Sequence, residues 1–177
     1  MRIVKWILGI VLGLVLILWL GGYALSPTFK VTRSVRVDAP PATVYALVAD
    51  PRPWKQWTVW NRRDPSMTIE YFGPPSGAGA GWAWKSASEG DGRMTFTAAE
   101  PDRRVAFELF FPDFGTTSTG DLSFVPDGSG TTVSWTMNGN MGSNPLLRWM
   151  TLFADNMVGK DFEGGLANLK ALAEKKP

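Results

Sequence analysis

NPLLRWMTLFADNMVGKDFEGGLANLKALAEK, residues 144–175, is the stretch on which the rest of the chain depends. Its apolar side chains fall at Leu146, Met150, Phe153 and Met157, and then at Phe162, Leu166 and Leu169. Steps of four, three and four, and then of four and three, mark one buried face of a helix. Asn144 can cap its first turn, and Pro145 fits the first helical position because the missing N–H is an orphan there anyway. Gly159 and the Gly164-Gly165 pair interrupt the pattern. Each costs about 1 kcal/mol against alanine in a helix, so the sequence predicts a bend or a close approach to a neighbour. The five-residue step from Met157 to Phe162 places a kink at the first of them.

The strands upstream need something to pack against, and this is the only long helix outside the N-terminal apolar run. Alternation at Val31, Arg33, Val35 and Val37 gives a first strand, from Phe29 to Asp38. Pro40-Pro41 opens a helix over Ala42–Ala49 with Val44, Leu47 and Val48 inward, and Asp50-Pro51-Arg52-Pro53 stops it. A short helical turn carries Trp54, Trp57 and Trp60. Strands follow at Met67–Phe72, Trp82–Ala87, Arg93–Ala99, Arg104–Phe111, Thr117–Val125 and Thr131–Asn138. Between them stand turn signals at residues 89–92, Pro101-Asp102, 112–115 and 127–130.

Consecutive hairpins make the sheet antiparallel, with one face covered and one wet. Alternation assigns the covered face to Ile69 and Tyr71; Trp82 and Trp84; Met94, Phe96 and Ala98; Val105, Phe107, Leu109 and Phe111; Leu122 and Phe124; and Val133, Trp135 and Met137. The fold class expected is α+β. A curved antiparallel sheet of about seven strands wraps the C-terminal helix and leaves a lipophilic pocket between the two.

Residues 3–25 read as a membrane segment. Ile7 to Leu20 carries no polar side chain, and Trp6, Trp19 and Tyr23 stand near the ends, where interfacial aromatics are favoured. A cleavable signal peptide is the competing reading, with Gly22-Tyr23-Ala24 as the cut site, but such apolar cores usually run about 7–15 residues. The domain plan is thus an anchor over 1–25, a linker over 26–28 and one domain over 29–177. Arg2 and Lys5 on one side and Lys30, Arg33 and Arg36 on the other do not choose an orientation. A signal anchor of this kind puts the domain on the outer face of the membrane.

Composition excludes a good deal. The chain of 177 residues has neither cysteine nor histidine, which removes disulfides, thiolate nucleophiles, ordinary zinc sites and the usual general base. The net charge of +2 and the lack of a basic cluster argue against nucleic acid as a partner. No metal or cofactor is expected. Nine tryptophans and ten phenylalanines are a heavy load of rings, which fill cores and line pockets for apolar ligands.

The element order and several phrases resemble the polyketide cyclase/dehydrase-like branch of the START/Bet v 1 (SRPBCC, helix-grip) superfamily. Val35-Arg36-Val37-Asp38-Ala39-Pro40-Pro41-Ala42-Thr43-Val44-Tyr45 looks like its first strand and helix opening, and Trp54-Lys55-Gln56-Trp57 like its short second helix. Residues 130–135 resemble the last strand, and residues 162–170 the end of the gripping helix. The resemblance covers roughly residues 29–174. It implies a fold whose members range from lipid carriers to cyclases to effector-binding modules, and it does not choose among them.

The ligand expected is a hydrophobic small molecule or lipid. The candidate lining is Trp57 and Trp60; Tyr71, Trp82 and Trp84 on the first strands of the meander; Met94, Phe96, Phe107 and Leu109 at its centre; and Trp135 and Met137 on its last strand. Met150, Phe153 and Met157 would close it from the helix. Ordinary core packing competes for all of these rings, and packing onto the sheet competes with a lid role for the tryptophan trio. The loop from Gly73 to Gly81 lacks a Gly-Lys-Ser/Thr ending and a following helix, so a flexible loop beside the entrance fits better than a phosphate cradle. An enzyme working in the same cavity, of cyclase, dehydratase or hydrolase type, would need a polar group such as Tyr71 or Tyr45. Alternation turns Glu70, Glu108 and Asp121 to the wet face, and Asp155 and Asp161 do not share a helix face.

Overall fold

The structure, a computed structural model, describes residues 2–113 and 115–175. Met1, Phe114, Lys176 and Pro177, which fall within the expected anchor, the 112–115 turn and the domain's end, lie outside the described residues. The chain begins with α1 (Arg2–Tyr23), an apolar helix long enough to cross a membrane. Then come β1 (Thr28–Val37), α2 (Pro41–Ala49), α3 (Trp54–Trp57) and α4 (Trp60–Arg63). A meander follows: β2 (Thr68–Phe72), β3 (Gly81–Lys85), β4 (Gly92–Glu100), β5 (Arg104–Phe111), β6 (Thr116–Asp127) and β7 (Gly130–Asn140). The chain closes with α5 (Pro145–Arg148) and α6 (Thr151–Ala173).

The seven strands form one antiparallel sheet in the order β1-β7-β6-β5-β4-β3-β2, so the first strand closes on the last and β2 is left as the far edge. Alternation predicted the covered face correctly except at Ala98. A β-bulge after Phe96 leaves Thr97 without a partner and resets the parity, so Ala99 now stands opposite Val105 on the covered face while Ala98 pairs with Ala106 on the other. A bulge adds one residue without changing composition, so the strand pattern alone does not reveal it.

The expected single helix from Asn144 is two helices. Asn144 does cap α5, accepting from the Leu146 N–H at 3.0 Å, but the helix breaks at Trp149 and Met150 before α6 begins. α6 lies mainly along β1, with Phe162, Leu166, Leu169 and Ala173 buried. Its glycines mark close approaches within an unbroken helix. The Arg33 guanidinium lies against Gly159, and the Trp135 ring lies against Gly165, where a Cβ would sit 2.9 Å from it.

Four rings fill the space beneath α6. Trp135 stacks on Phe162 with centroids 3.9 Å apart, Trp57 meets Trp135 at 5.3 Å, and Trp54 meets Trp57 at 4.5 Å. Trp54 Nε1 and Trp57 Nε1 donate to the Val48 and Leu47 carbonyls, two of the orphan acceptors at the end of α2. This plug locks α2 and α3 onto the sheet. It also occupies the volume in which a cavity against the C-terminal helix was expected.

Candidate functional site

The cavity that remains lies to one side of the plug, between α3–α4 and strands β2–β5. Its volume is about 90 Å³. That is small beside the roughly 300–1,000 Å³ of pockets that enclose a whole drug-sized ligand. Trp54, Trp82, Met94 and Leu109 form its buried floor, and Ile69, Tyr71, Trp84 and Phe111 its half-buried walls. Trp60, Thr58, Asn61 and Met67 complete the lining with buried Pro51, and exposed Lys55 and half-buried Glu89 stand toward solvent.

Each wall has a local cause. Ile69 and Tyr71 point inward because β2 alternates, and Ile69 pairs directly with Trp84 on β3. The Trp84 indole donates to the Gly90 carbonyl at 2.9 Å, which fixes the ring against the β3–β4 loop. That loop is held in turn by Asp64 at the end of α4. Its carboxylate accepts from Ser66 and from the Ser86 hydroxyl, the latter at 2.6 Å, and these hydrogen bonds hold the Asp64 carboxyl below the usual carboxylate range.

Trp60 is latched from outside. Its Nε1 donates to Asp161 Oδ2 of α6 at 2.9 Å. Arg63 grips both oxygens of the same carboxylate, at 2.8 and 2.7 Å, and reaches Glu89 at 2.9 Å. Asp161 thereby keeps Arg63 more firmly charged than a free guanidinium. The one carboxylate at the rim is thus already paired, and the interior is a ring-lined apolar surface. It suits a flat or acyl group better than an ion.

Of the residues expected to line a pocket, the structure gathers Trp60, Tyr71, Trp82, Trp84, Met94 and Leu109 at this cavity. Trp57, Phe96, Phe107, Trp135 and Met137 are buried on the same side of the sheet, but they are core and do not line it. Met150, Phe153 and Met157 do not close a cavity at all: they are exposed by 44%, 57% and 56%. The physical reason is helix phase. Five residues from Met157 to Phe162 turn about 140° at 100° per residue, so the two halves of the apolar stripe face different ways.

Sequence reasoning gave Trp54 a lid or packing role with Trp57 and Trp60 rather than a place in the floor, and it missed Lys55, Asn61 and Glu89, which come from short helices and a loop where no period speaks. Ile69 and Phe111 carried the signal of covered-face parity. The loop from Gly73 to Gly81 contributes nothing to the lining. It is bonded to the body of the protein through Gly77 N–H to the Ala49 carbonyl and Gly79 N–H to the Phe96 carbonyl. Tyr45 packs edge-on against Phe124, away from the cavity. Tyr71 is there, with its hydroxyl pKa pushed up by burial, so it is a phenol and a hydrogen-bond donor at neutral pH. Among the described residues no group of acidic side chains is arranged to hold a metal.

Comparison with known proteins agrees with this architecture. The profile of the family described as polyketide cyclase / dehydrase and lipid transport matches residues 28–174. No curated protein matches the chain in sequence. Among solved structures, a protein from Thermobifida fusca superposes with a TM-score of 0.63 at 23% identity, covering 81% of this chain and 92% of that one. The di-domain ARO/CYC protein BexL from the BE-7585A biosynthetic pathway gives 0.59 at 20% identity, over 85% of this chain and 52% of its own. Ara h 8.0201 gives 0.59 at 11%, over 82% and 97%. At these identities the likeness is one of fold.

Proposed function

Because the chain belongs to the polyketide cyclase / dehydrase and lipid transport family, we propose that it is a membrane-tethered domain that binds a hydrophobic small molecule or lipid by an apolar end. The observation that carries this is the slot itself, lined by Trp54, Trp82, Trp84, Met94 and Leu109 and closed by a latched Trp60. A cavity of about 90 Å³ takes one ring or a short acyl end, so the rest of the ligand emerges past Lys55 and Glu89. α1 serves as the anchor. Its 22 residues span about 33 Å at 1.5 Å each, close to the ~30 Å hydrocarbon core of a bilayer. On this reading the anchor is residues 1–25, the linker 26–28 and the binding domain 29–177, with the domain outside. Native mass spectrometry of gently purified protein tests the proposal. A co-purified hydrophobe is expected. Apo protein that also ignores fluorescent fatty acids and polycyclic probes contradicts it.

One observation favours a second reading, an enzyme of cyclase, dehydratase or hydrolase type. Tyr71 is among the residues that line the apolar slot and is protonated at neutral pH, and this reading has its hydroxyl donate to a bound oxygen. Turnover of an aromatic or acyl substrate that survives Tyr71→Phe would remove the residue this reading depends on.

A further inference from the structure

Large apolar side chains of α5 and the first half of α6 are left exposed among the described residues. Leu146 on α5, Met150 at the junction, and Phe153 and Met157 on the first half of α6 are all exposed, as is Leu152 beside Phe153. Five large apolar side chains together are more than the scattered exposure of an ordinary surface.

What lies beside this face is the end of α1. Trp149 Nε1 donates to the Leu18 carbonyl at 2.9 Å, and the Arg148 guanidinium stands 5.5 Å from the Tyr23 ring. Gly22 is buried against Pro145. Thr151 Oγ1, at the start of α6, reaches the Ser26 carbonyl at 3.4 Å. The stripe is therefore in contact with the last turns of α1 and with the linker.

We propose that the stripe docks on the lipid bilayer, with Met150, Phe153 and Met157 entering the boundary between headgroups and acyl chains. The proposal rests on the reading of α1 as a membrane anchor. Depth then follows from geometry. Leu18 lies five residues before Tyr23, about 7.5 Å along the helix, and interfacial helices bury their apolar face about 5–10 Å into the same zone. A contact at Leu18 therefore holds α5 at interfacial depth once α1 spans the membrane. Arg148, half-buried beside Tyr23, lies within the same turn. The consequence for function is orientation: the domain is fixed on the membrane surface by two contacts.

The chain has no cysteine, so single-site labelling is clean. Full-length protein carrying Phe153→Cys, Met157→Cys, Leu12→Cys or Glu108→Cys, each labelled with an environment-sensitive fluorophore, is reconstituted in phosphatidylcholine–phosphatidylglycerol vesicles with and without doxyl-labelled lipids. The expected result is blue-shifted emission and quenching by doxyl lipid at 12, 153 and 157, with neither at 108. Quenching at 12 but solvent-like emission at 153 and 157 overturns the docking while leaving the anchor intact. Loss of quenching at 12 overturns the anchor reading and the docking with it. Shielding at 153 without lipid quenching, accompanied by disulfide cross-linking of unlabelled Phe153→Cys, assigns the face to a second copy of the chain and also overturns the docking.

Discussion

Filling the slot from its open edge separates ligand binding from stability. Ile69 lies on the edge strand β2, half-buried, with its side chain in the cavity and Trp84 opposite. Tryptophan is a good strand residue, and Ile69→Trp places a ring where the ligand end is proposed to sit. A body that fills about 90 Å³ presents about 100 Å² of surface, worth about 2.5 kcal/mol at 25 cal/mol per Å². Excluding it weakens binding by about 70-fold. The same burial favours the folded variant, while overpacking costs about 1–3 kcal/mol, so net stability shifts by between about −0.5 and about +1.5 kcal/mol. Titration of a fluorescent fatty acid measures the first quantity, and urea unfolding measures the second. A variant that folds normally and binds with unchanged affinity refutes the reasoning, because the ligand would then lie elsewhere.

The remaining predictions concern the latch, the plug and the pH response. Asp161→Ala frees the Trp60 indole and leaves Arg63 held by Glu89 alone; ligand exchange in stopped-flow mixing speeds up, while stability falls by only about 0–1 kcal/mol because the ion pair is partly exposed. Unchanged exchange would show that Trp60 is no lid. Gly165→Ala destabilises by about 1–3 kcal/mol in urea, since the new Cβ meets the Trp135 ring. Helix propensity alone predicts a gain of about 1 kcal/mol, so the sign decides. The Asp64 pKa is lowered on folding, so its contribution to stability is fully present above the unfolded value, about 3.9, and is lost as pH falls through the folded value. Melting temperature against pH is expected to fall less steeply on the acid side for Asp64→Asn than for the parent, and parallel curves would contradict the assignment.

The sheet was legible because alternation and turn residues speak strand by strand, and the covered face came out right up to the bulge at Phe96. The C-terminal helix was legible only by half. Periodicity at Leu146, Met150, Phe153 and Met157 announced one buried helix face, whereas these side chains are exposed and the helix breaks at Trp149 and Met150; spacing marks an apolar stripe but not what covers it. The five-residue step to Phe162, read as a kink at Gly159, is instead a change of face along an unbroken α6. The site was legible where strands build it, at Tyr71, Trp82, Trp84, Met94 and Leu109. It was opaque where Trp54 and Trp57 fill the expected cavity, because a tryptophan in a short helix reads the same as plug or as lid. Pairing of Trp60 and Arg63 with Asp161 is a contact across a hundred residues that no local pattern encodes.

The most direct test of the account is a crystal structure of the protein with its co-purified or titrated hydrophobe. Ligand density is expected among Trp60, Ile69, Tyr71, Trp82 and Met94, with the free end leaving past Lys55 and Glu89. An unchanged slot, with density lodged instead between α6 and the sheet where Trp57 and Trp135 now pack, would contradict it.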